Sequence, residues 1–187
     1  MTKNQSTNLK DSYFERSKKK GSYKNSLAIP KISKVVINVG IGRLMAGSKN
    51  EELIKKISKD IAMITGQQPA IRPAKKSIAS FKIREGMPVG LMVTLRGKRK
   101  DDFVYKFINI VLPQVRDFWG IAFKNVDQTG NLNYGIKDHA VFPEISREQN
   151  PLPFGLEVTF VPSTKKREEA IQLYESLGFP FQKNQQK

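Results

Sequence analysis

The sequence predicts an α+β fold, a mostly antiparallel sheet with helices packed on one face and the other face open. Two observations carry that reading. Short stretches alternate apolar and polar residues at period two, and longer stretches place apolar residues at three- and four-residue spacing. A third bounds it: 187 residues with a 39% hydrophobic fraction and 11 phenylalanines can build a core. The chain divides by composition into a basic N-terminal extension (1–24), a single α+β domain (25–183) and a short C-terminal tail (184–187).

Pro30 marks entry to the folded body. Val35, Ile37, Val39 and Ile41 then share one side of a strand, with Val36, Asn38 and Gly40 on the other. Ser48 and Glu51 have capping-box spacing, in which hydroxyl and carboxylate each satisfy an orphan backbone N–H. Leu53, Ile54, Ile57, Ile61 and Ile64 make the buried stripe of the helix that follows, and Gly66 suits a left-handed C-terminal cap. A short strand is expected at 69–72, then a basic loop. After Pro88 a second alternating strand points Leu91, Val93 and Leu95 inward and Gly90, Met92, Thr94 and Arg96 outward. Phe103, Val104, Phe107, Ile108, Val111 and Leu112 recur every four residues as an amphipathic helix running into Pro113. Residues 114–150 show little periodicity and several turn signals, among them Gln128-Thr129-Gly130-Asn131. A late strand turns Leu156, Val158 and Phe160 to one side and Glu157 and Thr159 to the other. The last helix is expected to start near Ser163 or Thr164, to bury Ala170, Ile171, Tyr174 and Leu177, and to stop at Gly178. Helices on the apolar face leave Asn38 and Thr94 pointing at whatever docks opposite.

Charge then narrows the function. The formal net charge is +16. Residues 1–24 carry +5 and residues 70–100 carry +8, leaving +3 on the other 132. A solvated face kept for solubility explains the total but not the clustering, which reads as a footprint on a phosphate backbone. A chain without cysteine has no disulfide framework, no thiolate metal site and no thiol nucleophile. The single His139 cannot supply paired histidine ligands, and it is expected to be a surface or packing residue rather than a base oriented by Asp138. No apolar run reaches the ~18 residues of a spanning helix, and no apolar segment behind Met1 suggests a secretory leader. A cytoplasmic protein without metal or cofactor is the expectation.

Residues 42–49 lie between a strand and a helix, where the phosphate loop of a nucleotide-binding enzyme would belong. That loop needs Gly-Lys-Ser/Thr, whereas here Ser48 precedes Lys49 and serves as a cap. Met45 also stands where the third glycine of a dinucleotide fingerprint should be. An enzyme of this kind is the rival reading and the weaker one. A peripheral membrane protein would need a basic amphipathic helix, but the densest charge lies in a loop. That loop interleaves Arg72, Lys75, Lys76, Lys82 and Arg84 with Ser77, Ser80 and Phe81. The cations can neutralise phosphates, the hydroxyls can bond phosphate or ribose oxygens, and the ring offers a stacking surface. No Gly-Phe-Gly-Phe-like run is present, which favours recognition of folded RNA over single strands stacked on the sheet.

Several ordered motifs add a resemblance. They are Val35-Val36-Ile37-Asn38-Val39-Gly40-Ile41-Gly42, Thr65-Gly66-Gln67-Gln68-Pro69, Ala74-Lys75-Lys76-Ser77 and Phe81-Lys82-Ile83-Arg84-Glu85-Gly86. Val93-Thr94-Leu95-Arg96-Gly97, Arg116-Asp117-Phe118, Phe142-Pro143-Glu144-Ile145 and Phe179-Pro180-Phe181 follow. Over residues 25–183 the chain closely resembles the bacterial large-subunit ribosomal protein number five family, whose members bind 5S rRNA. The resemblance implies a non-enzymatic α+β protein of the central protuberance that anchors 5S rRNA to 23S rRNA. It also implies contact with P-site tRNA and a bridge to small-subunit protein number thirteen. By the same resemblance Asn38, Gln67 and Thr94 meet 5S rRNA, joined by Arg96 on the outward side of its strand. The loop of residues 75–86, with Arg72 before it, is the part that approaches tRNA or rRNA. The chain departs from the family at Arg72, where Ser or Thr is usual, and at Ser80, where a small residue, commonly glycine, stands. Residues 1–24 match the family poorly.

Overall fold

A computed structural model describes residues 25–42, 51–145 and 153–182. The Ser48–Glu51 cap, most of the 42–49 loop and the basic N-terminal extension lie outside the described residues. The elements in chain order are β1 (Ile32–Gly40), α1 (Glu51–Thr65), β2 (Ala70–Pro73), β3 (Pro88–Leu95) and α2 (Gly97–Lys106). A π-helical stretch (Phe107–Val111) continues into a last turn, α3 (Leu112–Gln114), followed by β4 (Leu132–Ile136), β5 (Leu156–Pro162) and α4 (Arg167–Leu177). The five strands form one antiparallel sheet in the order β2-β3-β1-β5-β4, giving the expected α+β class. The chain packs as two compact units. Of the described residues, one holds 25–35, 96–134 and 159–182, and the other holds 36–42, 51–95, 135–145 and 153–158.

In the second unit, alternation sets the faces. Ile37, Val39, Leu91 and Val93 are all at most 2% exposed, and Leu156 and Val158 are buried with them. Ile57 and Ile61 of α1 are each at 1%, Ile54 and Ile64 are also buried, and Leu53 at the edge of the expected stripe is only half-buried. Thr65 ends α1 by donating its hydroxyl to the Ile61 carbonyl at 2.7 Å, and Gly66 takes the left-handed cap conformation. β2 pairs antiparallel with β3, Ala70 opposite Met92 and Arg72 opposite Gly90, with an irregularity between Arg72 and Pro73. Proline has no N–H for the ladder, so its place at the end of an outer strand fits.

The first unit is built around aromatic rings. Phe107 is fully buried and meets Phe160 edge-on at 5.0 Å and Tyr134 at 5.9 Å. The Tyr174 hydroxyl lies 2.9 Å from the carbonyl oxygens of Gly130 and Phe160, to which it donates. Burial pushes that phenol's pKa up, so the donor stays protonated. The π-helical stretch has its origin in the sequence. Apolar residues at a strict spacing of four drift by about 40° per repeat around an α-helix, and a wider i→i+5 turn takes up the drift. Phe103, Phe107 and Val111 are accordingly all buried. The last helix starts at Arg167, later than expected, because Thr164 anchors the approach. Its hydroxyl bonds the Glu169 carboxylate at 2.6 Å and accepts the Lys166 N–H at 3.2 Å. Leu173 and Ser176, rather than the half-buried Ile171 and Leu177, are buried with Ala170 and Tyr174, and Gly178 closes the helix in a left-handed conformation.

Candidate nucleic-acid interface

On the side of the second unit away from α1, Asn38, Met92 and Thr94 are half-buried and Gly40 is exposed. This is the polar outer face that period two predicts. Its centre is a groove of about 470 Å³ whose lining includes Asn38, Gly40, Arg72, Gly90, Gly155 and Glu157. Three glycines make the floor shallow. Backbone crowding explains two of them, since a Cβ on Gly90 would stand 3.3 Å from the Val39 carbonyl oxygen and one on Gly155 3.1 Å from the Ile136 carbonyl oxygen. A Cβ on Gly40 would meet nothing within 4 Å, so that position is open by composition rather than by packing.

The groove joins residues that the sequence keeps apart. Arg72 reads along the chain as the start of the basic loop. Strand pairing instead sets it in the groove with Asn38, its guanidinium 3.7 Å from the Met92 sulfur. Glu157 is legible as an outward residue of its strand, but nothing in the sequence tells that this strand is β1's neighbour. Glu157 adds a carboxylate to the same groove, a group that repels phosphate and can accept from exocyclic base amines. Thr94 shares the outward face of β3 but does not line the groove. Gln67 stands in the turn after α1, where its backbone N–H donates to the Thr65 hydroxyl at 3.2 Å. Arg96 follows β3 directly and is exposed.

The basic loop is an ordered hairpin extension. Ala74 N–H donates to Met87 O at 2.8 Å and Gly86 N–H to Ala74 O at 3.0 Å, which closes the base. Ile78 and Ile83 exchange bonds of 2.9 and 3.1 Å nearer the tip. Ala79–Phe81 forms a single 3₁₀ turn and Lys82 follows with a left-handed φ of 53°. The Ser77 hydroxyl oxygen accepts the Glu85 N–H at 2.9 Å, leaving its own O–H to donate outward. No residue from 70 to 90 is buried, so Lys75, Lys76, Ser80, Lys82, Arg84 and the 64%-exposed Phe81 ring all reach solvent. Cations surround an exposed ring here, the combination that suits phosphate contact with stacking.

His139 is a packing residue. It is 2% exposed and stacked on Phe154 at 3.9 Å between ring centroids, with Nε2 4.0 Å from a buried Asp60 carboxylate oxygen. Among the described residues no cluster of three or more His, Asp or Glu side chains could hold a metal ion.

Comparison with known proteins decides the family. Residues 25–84 match the family model described as ribosomal protein L5, and residues 88–181 match the model of the same ribosomal family's C-terminus. The chain belongs to the ribosomal protein L5 family. The large ribosomal subunit protein uL5 of Halothermothrix orenii is 49% identical over 162 residues, covering 87% of this chain and 89% of that protein. The uL5 of Pseudothermotoga lettingae is 49% identical over 165 residues, 88% of each chain. That of Thermosipho africanus is 45% identical over 179 residues, 94% of this chain and 97% of that protein. The resemblance carried by the sequence motifs is therefore borne out. Proteins of the L5 family are structural ribosomal proteins and not enzymes, which disposes of the nucleotide-binding reading of residues 42–49.

Proposed function

We propose that this L5-family protein attaches 5S rRNA to 23S rRNA in the central protuberance of the cytoplasmic large ribosomal subunit. In this reading the outer face of β1 and β3 holds 5S rRNA through Asn38, Thr94, Gln67 and Arg96. The hairpin extension, with Lys75, Lys76, Ser77, Ser80, Phe81, Lys82 and Arg84, approaches P-site tRNA. A bridge to small-subunit protein number thirteen completes the reading. The observation that carries it is the groove. A half-buried asparagine, an arginine and a shallow glycine floor lie on the sheet side opposite α1, and such a surface is shaped for a nucleic-acid edge rather than for a small molecule. Arg72 belongs to the groove in this account, not to the tRNA-facing tip.

The test is binding of a 5S rRNA transcript at fixed moderate salt, with tRNA and duplex DNA as competitors. Asn38→Ala and Thr94→Val should each weaken 5S binding by about 1–3 kcal/mol, the cost of a buried interface acceptor or donor left unpaired. Melting temperatures should stay at the parent value. Parent-like 5S binding in both single variants refutes the assignment of this face.

A further inference from the structure

Trp119 is the only tryptophan in the chain, and it is 85% exposed. It directly follows Arg116-Asp117-Phe118, a motif that neither the groove nor the hairpin uses. The exposure does not come from a loose loop. Asp117 holds a left-handed φ of 54°, and the half-buried Phe118 ring meets Tyr134 edge-on at 6.3 Å. On the other side, Ile121 N–H donates to Pro180 O at 2.7 Å and Gln182 N–H returns to Ile121 O at 3.1 Å. Gly120 sits so close to this segment that a Cβ would lie 3.1 Å from Phe181 C and Gln182 N. Phe123 then stacks on Phe181 at 4.9 Å with the planes 5° apart. Both flanks are pinned, and the indole between them is turned outward.

The surroundings indicate what the ring is for. Protein-binding hot spots sit within a well-packed apolar patch. Trp119 has exposed Arg116 and Asp117 before it and exposed Lys124 after it. The other large apolar side chains exposed in its unit, among the described residues, are Leu27 and Ile110. A lone rigid indole with Arg116 and Lys124 near it in the chain, against one carboxylate at Asp117, suits a base, because every base has a π-face and arginine adds phosphate contacts. We propose that Trp119 is a stacking platform for an unpaired base of ribosomal RNA, with Arg116 on the adjoining phosphate. Trp119 and Arg116 belong to the first compact unit, whereas Asn38, Thr94 and the hairpin belong to the second. The stacking contact follows from membership of a ribosomal family and does not depend on the 5S assignment.

Because no other tryptophan contributes, fluorescence reports on this ring alone. The full chain is titrated at moderate salt with single-stranded oligoadenylate of about 12 nucleotides, within the usual site sizes. An RNA duplex of equal length serves as control, and filter retention measures binding independently. Quenching of about twofold or more by the single strand, with little change on duplex binding, is expected. Trp119→Ala should weaken single-strand binding about fivefold or more, whereas Trp119→Phe should keep most of it. Both variants should leave the salt slope unchanged, since no charge is lost. Saturated retention without quenching overturns the proposal, as does equal quenching by duplex. If Trp119→Ala binds RNA normally but fails to enter large subunits, the ring belongs to a protein neighbour and the proposal is also overturned. Loss of 5S binding in the Asn38 and Thr94 variants reads a different surface, so the two assignments fail independently.

Discussion

Gly40→Val should move stability and RNA binding in opposite directions. Gly40 ends β1 on the outward side, and a Cβ there meets nothing within 4 Å, with no left-handed φ to forbid one. Glycine in a strand costs roughly 0.5–1 kcal/mol relative to alanine through backbone entropy, and a β-branched side chain suits the pleat. The folded chain should therefore gain about 0.5–1 kcal/mol, which for a protein of this size raises the melting temperature by roughly 1–4 °C. The same two methyl groups fill the floor of the groove beside Asn38. If 5S rRNA seats there, overpacking should cost about 1–3 kcal/mol, or roughly 5- to 150-fold in affinity. Thermal unfolding by circular dichroism and filter-binding isotherms with 5S rRNA give the two numbers. Parent-like affinity with a raised melting temperature would show that RNA does not use the groove. A lowered melting temperature would show that the strand end is not as open as its geometry states.

Replacing Lys82 and Arg84 together by alanine should leave 5S binding and subunit assembly near normal while lowering P-site tRNA occupancy on ribosomes carrying the variant. The reverse pattern would assign the hairpin to the 5S interface. Tyr174→Phe removes the donor to the Gly130 and Phe160 carbonyls. It should cost about 1–3 kcal/mol of stability with RNA binding unchanged, and an unaltered unfolding midpoint would refute the hydrogen bond's role. Burial raises the Asp127 pKa, but hydrogen bonds from Asn131 and Thr129 outweigh it, and the net shift is below the ordinary 3.8. The carboxylate's stabilisation is thus full above that value and lost as pH falls through the lower folded one. Asp127→Asn should flatten the fall in melting temperature below pH 3.8, and identical acid profiles in the two chains would contradict this.

Periodicity finds the elements whose burial is one-sided. Ile37 and Val39 against Asn38, and Ile57 and Ile61 along α1, leave a regular trace because one side of each meets the core. β4 leaves none. Its Leu132 and Ile136 are buried, but Tyr134 between them is only half-buried and spends its ring edge-on against Phe107 and Phe118. A run this short, directly behind the turn signals Gln128-Thr129-Gly130-Asn131, reads as part of a turn-rich stretch. The outward residues of the candidate interface are legible one strand at a time. Their assembly into a groove is not, because Arg72, Asn38 and Glu157 meet only through strand order, and alternation carries no information about neighbours. Trp119 escapes a reading of the sequence for a related reason. Exposure of a large ring is the opposite of what an apolar residue signals, and only the pinned flanks on either side reveal it.

The strand order has a consequence for how the chain is made. β1 lies between β3 and β5, so the middle of the sheet needs a strand that begins at Leu156, about 116 residues after β1 ends at Gly40. At typical synthesis rates of about 5–20 residues per second, one edge of β1 waits roughly 6–23 s for its partner. During that interval β1, β2 and β3 can pair among themselves, but the sheet stays open in the middle. Pairing over such separations is also slow once the chain is complete. For a polypeptide of charge +16 released among ribosomes, that delay is a period in which it can meet RNA before its fold is finished. Folding and incorporation into the particle should therefore overlap in time, with the closing of β5 onto β1 as the late step.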